Sequence, residues 1–306
     1  MAHTHGHTQK AGTSNRSRLT LALIIVATVL VVEVIGAWIT GSLALLADAG
    51  HMFSDLAGLT IALVATVVAG RPATDRQTFG YQRAEVFGAL LNGLILVAVA
   101  VAVVISAVGR LLDPGESHVL AGPMLLVAGI GLLANVAGIL LLRPAQASSI
   151  NMRGAYLEVL ADALGSVAVI VAAGIILLTG FEQADAIASL LIAAMILPRA
   201  FVLLRDVVRV FSESSPVETD VAEIRRHLVT TPGVHAVHDV HVWAITSGAH
   251  VFSAHIVVDP QVLASGGSGA LLDELSECLA HHFDVEHSTF QLEPIEHAAH
   301  EEQHHR

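Results

Sequence analysis

His51 and Asp55 stand four residues apart in the apolar stretch Ala47-Asp48-Ala49-Gly50-His51-Met52-Phe53-Ser54-Asp55, so a helix puts both side chains on one face. Glu158 and Asp162 repeat that spacing in Tyr156-Leu157-Glu158-Val159-Leu160-Ala161-Asp162. Ionisable groups inside apolar helices are costly and mark function. Two such pairs on facing helices supply one imidazole and three carboxylates, the four donors a tetrahedral zinc site takes. The same pairs also read as hydrogen-bonded polar clusters that fix helix register, or as a proton relay. One His with three carboxylates suits a dication better than a proton alone. Three carboxylates against a dication leave room for one retained proton, with Glu158 as its candidate carrier.

The elements that must hold these pairs are membrane spans. The 306 residues are 54% hydrophobic and 14% charged, with mean hydropathy +0.69, whereas a soluble domain carries about 25% charge. Apolar runs long enough for a crossing of roughly 20 residues fall at about 19–40, 43–69, 84–109, 120–142, 155–179 and 184–204. Turn signals separate them at Thr40-Gly41-Ser42, Gly70 to Arg83, Asp113-Pro114-Gly115, Pro144 to Arg153 and Gly180 to Gln183. The run from Leu19 to Thr40 has no convincing cleavage site and reads as an uncleaved helix.

Cations set the expected orientation. Lys10, Arg16, Arg18, Arg71, Arg76, Arg83, Arg143, Arg153, Arg205 and Arg209 gather on one side, and Arg110 lies on the other. Six spans with that asymmetry place both termini in the cytoplasm. The net charge of −12 and the 18 histidines argue against nucleic acid, which wants clustered Lys and Arg. The single cysteine, Cys278, excludes an internal disulfide framework and a cysteine zinc knuckle, and reads as a small packed hydrophobe.

Other polar residues fall within the runs. Glu33 and Asp48 are candidates for lining an aqueous approach or assisting proton traffic, and Asn92 and Asn135 for interhelical hydrogen bonds. Glu85 reads as a partner of Arg83 or a headgroup-level residue.

Residues 212–306 are different material. Glu218 to Thr231 has helical spacing and stops at Thr231-Pro232-Gly233; Val234 to Ile245 and Ala249 to Val258 are β-rich runs joined by a hairpin signature. A helix at about 270–283 and a strand at about 287–293 follow. The order α-β-β-α-β predicts a small α+β domain with helices on one face of a three-stranded sheet. Strands lie about 5 Å apart, so His238, His255 and Glu293 can meet on one edge. Strict alternation puts His241 on the other face unless a bulge intervenes. His287 is a further candidate there, and His281 and His282 sit where they complement a helix dipole. The tails, with His3, His5, His7, His297, His300, His304 and His305, read as disordered and able to collect metal weakly.

These motifs resemble the cation diffusion facilitator family, and within it the cobalt–zinc–cadmium efflux type. The resemblance rests on GSLALLADAGHMFSDLAGL at 41–59, RPATDRQTFGYQRAEV at 71–86, NMRGAYLEVLADALGSV at 151–167 and TPGVHAVHDVHVWAITSG at 231–248. It implies an α-helical membrane protein of six transmembrane helices with a C-terminal α+β ferredoxin-like cytoplasmic domain. It also implies a homodimer in the cell membrane, and export of zinc, cobalt or cadmium in exchange for protons. The domains expected are a tail at 1–18, a membrane domain at 19–211, a cytoplasmic metal-binding and dimerisation domain at 212–295, and a His-rich tail at 296–306. The family's transport ligands carry over onto His51, Asp55, Glu158 and Asp162, and its regulatory site onto His238, His255 and Glu293. Many zinc-selective members have a second His where Glu158 stands, which makes this site harder and broadens its cargo. No cofactor and no catalysis are expected: a zinc hydrolase wants HExxH or an open His cluster, and neither occurs. A metal-sensing receptor, the other rival, has no need of ligand pairs in two spans.

Overall fold

In a computed structural model, residues 8–113, 118–145, 150–246, 248–283, 285–298 and 300 are described. The expectations for His3, His5, His7, His304 and His305, and for the turns at 114–117 and 146–149, lie outside these residues.

Among the described residues, six helices are long and apolar enough to cross a membrane: α1 (Thr8–Thr40), α2 (Leu43–Ala69), α3 (Ala84–Leu112), α4 (Ala121–Leu142), α5 (Ile150–Thr179) and α6 (Gln183–Phe211). Large apolar side chains such as Trp38, Leu63, Ile105, Leu133, Leu140 and Leu178 are exposed on their outer faces. That surface suits lipid, where apolar exposure carries no penalty. Two bounds differ from the sequence expectation. The helix α1 starts at Thr8 rather than 19, within the tail expected to be disordered, because 8–18 contains no proline to stop it. The helix α6 runs to Phe211, beyond the apolar run, because no glycine or proline follows Pro198 to stop it before Phe211.

The chain divides into two compact units. The first holds the chain through Ile61 together with Leu91–Val202, and the second holds Ala62–Leu90 with Leu203–Arg306. The cuts between the two units fall inside α2, α3 and α6. In the second unit, Thr246 of the C-terminal sheet donates to Glu85 at 3.1 Å, and Phe79 stands edge-on to His287 at 6.2 Å. Glu85 thus answers Thr246 and Thr66, while Arg83 pairs with Glu213 at 3.3 Å.

Within the first unit, α1 packs on α4 and α4 on α5. Val29, Leu30, Ala49 and Met52 form one buried cluster of α1 and α2, and Leu43, Ala107 and Ala186 another of α2, α3 and α6. The start of α2 is capped from a distance. Buried Asp185, in the first turn of α6, accepts from the Ser42 hydroxyl at 2.5 Å and from the Leu43 and Ala44 amides at 2.7 and 3.1 Å. Arg110 pairs with the same carboxylate at 3.3 Å and donates to the Gly41 carbonyl at 2.8 Å. A helix start in an apolar medium leaves amides that only protein can satisfy, and Asp185 answers two of them.

In the second unit lie α7 (Val221–Val229), β1 (Val234–Thr246), β2 (Ala249–Val258), α8 (Pro260–Ala264), α9 (Ser268–Phe283), β3 (Val285–Pro294) and α10 (Ile295–Ala298). The sheet order is β1-β2-β3, with β1 antiparallel and β3 parallel to β2, so α9 makes the crossover. Ile224 and Leu228 of α7 and Leu271, Leu275 and Leu279 of α9 bury against Phe252, Ala254, Ile256 and Val258 of β2. His255, of opposite parity, points to the other face. The Asp220 side chain caps α7, accepting from Ala222 N at 2.9 Å and Glu223 N at 3.1 Å. Asp220→Ala is expected to lower the stability of this domain by about 1 kcal/mol, read as a lower unfolding midpoint in denaturant.

Candidate metal centre

The four-residue spacing in α2 brings the His51 Nδ1 to 3.5 Å from Asp55 Oδ2. From α5, Asp162 Oδ1 lies 3.9 Å from His51 Nε2. One donor atom from each of His51, Asp55 and Asp162 falls within 4.8 Å of the others. All three side chains are nearly buried, and His51 Nδ1, Asp55 Oδ2 and Asp162 Oδ1 make no hydrogen bond. Buried polar atoms are ordinarily satisfied, so three that converge without hydrogen bonds are an arrangement that could hold a cation.

Glu158 is not one of the three clustered donors. Its Oε1 accepts from Arg199 at 2.9 Å, and the same guanidinium lies 3.4 Å from Asp55 Oδ1. Arg199 was missed in the sequence because it falls outside the clusters at span ends, directly after Pro198 in the middle of α6. Its signal was an uncompensated cation inside an apolar run, which must find carboxylates.

A second polar cluster lies among α1, α2, α4 and α5. Asn135 donates to the Ser166 hydroxyl at 3.3 Å, and that hydroxyl lies 3.5 Å from Asp48 Oδ2. Glu33 is fully buried, and its two carboxyl oxygens make no hydrogen bond. Glycines make room for both acids: a Cβ at Gly165 would stand 2.5 Å from Asp48 Oδ1, and one at Gly131 2.6 Å from Glu33 Oε1. Asn92 accepts from the Ser54 hydroxyl at 3.3 Å, so both asparagines bond between helices.

In the C-terminal domain, His238 and His255 are cross-strand partners, with ring centroids 5.2 Å apart. Glu293 of β3 is almost wholly buried and reaches both, at 3.2 Å to His238 Nε2 and 2.8 Å to His255 Nδ1. Its Cα partner is Val257, two residues beyond His255 and so on the same face. A bulge does intervene after His238. Asp239 takes φ of 48°, the register shifts between His238 and His241, and Asp239 turns into the cluster, 3.8 Å from His255 Nε2 and 3.1 Å from His241 Nε2. Asp239 was the residue that alternation alone concealed. His287 faces Phe79 instead.

Sequence comparison agrees with this architecture along nearly the whole chain. The profile described as the cation efflux transmembrane domain matches residues 19–212, and that of the cation efflux protein cytoplasmic domain matches 216–295. The chain is 40% identical to the metal cation efflux system protein CzcD of Cupriavidus metallidurans, over 96% of this chain and 92% of that protein. It is equally 40% identical to the zinc transporter ZitB of Escherichia coli, over 96% and 93%. It is 36% identical to a cadmium, cobalt and zinc/H(+)-K(+) antiporter of Bacillus subtilis, over 95% and 93%. Among solved structures, the metal-bound C-terminal domain of the Cupriavidus CzcD is 40% identical, covering 24% of this chain and 99% of that one, with a TM-score of 0.23. With six membrane-length helices, a C-terminal α+β domain and both profiles matched in order, the chain is a multi-pass membrane protein of the cation efflux, or cation diffusion facilitator, family and not an enzyme.

Proposed function

We propose that this protein exports zinc, with cobalt and cadmium as further cargo, from the cytoplasm in exchange for protons. The observation that carries the reading is the buried convergence of His51, Asp55 and Asp162 from two helices. Cargo binds through these three side chains and Glu158. Binding requires neutral imidazole and ionised carboxylates, so metal and protons compete for the same atoms. That competition is the coupling: metal loaded from one side displaces protons, and protons entering from the other displace metal.

Arg199 fills a role in the metal-free state. Its guanidinium balances Asp55 and Glu158, and it must release Glu158 before that carboxylate can complete the metal's shell. An internal cation 2.9 and 3.4 Å from two of the carboxylates opposes an incoming one by a few kcal/mol at an effective dielectric near 20, before the carboxylates themselves screen it. Arg199→Ala is therefore expected to tighten zinc binding by about tenfold and slow release, read by calorimetry and by a lower maximal flux.

Both termini lie in the cytoplasm, in an inner-membrane protein, as the cation asymmetry supports. The C-terminal domain pairs two protomers, and His238, His255 and Glu293, joined by Asp239, bind metal there at high load and hold the dimer ready for transport. The direct test is reconstitution into vesicles with a pH-sensitive dye and a zinc indicator inside. Zinc accumulation driven by an outward proton gradient, with matching dye response, is the expected result. Vesicles that collect no metal would indicate a receptor instead.

A further inference from the structure

A third group of donors stands in the helical layer of the C-terminal domain. His227 lies in the last turn of α7, while Cys278 and His282 stand four apart on α9 and share one face. One donor atom from each falls within 4.8 Å of the others. The buried stripe of α9 is Leu271, Leu275 and Leu279. Cys278 lies one residue off that stripe, half-buried at the rim of the core rather than inside it.

The imidazoles are oriented. His282 Nδ1 is 3.2 Å from the Cys278 carbonyl, a contact that needs the proton on Nδ1 and leaves the Nε2 lone pair available. Metal-binding histidines are held in just this manner, with the second nitrogen on a carbonyl or carboxylate. His227 lies 4.9 Å from the His282 ring and edge-on to Phe283 at 5.8 Å, which restrains it beside the thiol. Cys278 packs at the rim of the core, which places its sulfur within reach of both rings.

We propose that His227, Cys278 and His282 form a separate metal site that takes a borderline-to-soft dication, Zn2+ or Cd2+, through one sulfur and two nitrogens. Water completes the tetrahedron. The site lies on the helix-covered face of the sheet, opposite His238, His255 and Glu293, and it joins α7 to α9. Its donors also differ: the other two clusters mix imidazole with carboxylate, whereas a thiolate favours the softer ion. Binding here does not depend on which cargo the membrane site carries.

Cys278 is the only cysteine in the chain, so thiolate-to-metal charge transfer reports this site alone. Purified full-length protein in detergent is titrated with Co2+ and followed in the near ultraviolet. A charge-transfer band saturating at about one cobalt per chain is expected. It should be displaced by Cd2+, retained in the His238→Ala/His255→Ala double variant, and absent from Cys278→Ser. In His227→Ala the apparent affinity should fall by at least about tenfold. A second readout covers the case in which Cys278→Ser does not fold: Cd2+ should slow maleimide labelling of Cys278 at least about tenfold in the wild type and much less in His227→Ala. No band in the wild type at saturating cobalt, or a band and protection unchanged in His227→Ala, would overturn the proposal.

Discussion

Replacing Asp162 with alanine is expected to reduce proton-driven zinc accumulation to the level of protein-free vesicles. The substitution removes one of the three donors that converge, and the one contributed by α5. His51 and Asp55 remain, but both lie on α2, so nothing in the three-donor cluster ties the bound ion to α5. A loss of at least about a hundredfold corresponds to roughly 2.7 kcal/mol, less than a buried charged ligand ordinarily supplies. Asp162→Asn tests the cause, because it keeps the volume and removes the charge. It should fail almost as completely, whereas Leu178→Ala, on a lipid-exposed position of the same helix, should transport normally. Zinc binding measured by calorimetry separates lost binding from lost movement. Undiminished flux in Asp162→Ala would remove this residue from the site and with it the role assigned to α5.

Replacing Asp185 with alanine is expected to cost about 3 kcal/mol of stability without touching the cargo site. One carboxylate accepts from a hydroxyl and two backbone amides and faces the Arg110 guanidinium. Its loss combines a missing helix cap, about 1 kcal/mol, with a partly buried cation left without its partner, which costs more. Thermal unfolding in detergent should shift downward by several degrees, and the folded fraction should keep its zinc affinity. Asp185→Asn, which retains acceptor capacity without the charge, should fall between the two. An unchanged melting temperature in Asp185→Ala would mean that water or another group caps α2.

The amino-acid order alone determined the coarse architecture, for reasons that are local. Spans are set by runs of apolar residues longer than a bilayer core, and the C-terminal strands by period-two patterning ended at Gly and Pro, so each is legible without partners. The pairs His51–Asp55 and Glu158–Asp162 were legible because four-residue spacing fixes a shared face inside any helix. Their meeting was not: only the packing of α2 and α5 beside each other decided that Asp162 reaches His51 while Glu158 turns to Arg199.

The same division holds elsewhere. Asp185 caps a helix 142 residues earlier in the chain, and no local pattern announces a partner at that distance. Asp239 enters the His238–His255–Glu293 cluster only because a bulge with positive φ reverses the parity that alternation assigns. Cys278 shows the limit most plainly. Its apolar neighbours on α9 read as core, and it took α7 packed alongside to bring His227 to the sulfur. Residue type and spacing name the donors each element can offer; which donors share one point depends on contacts between elements, and those exist only in the folded chain.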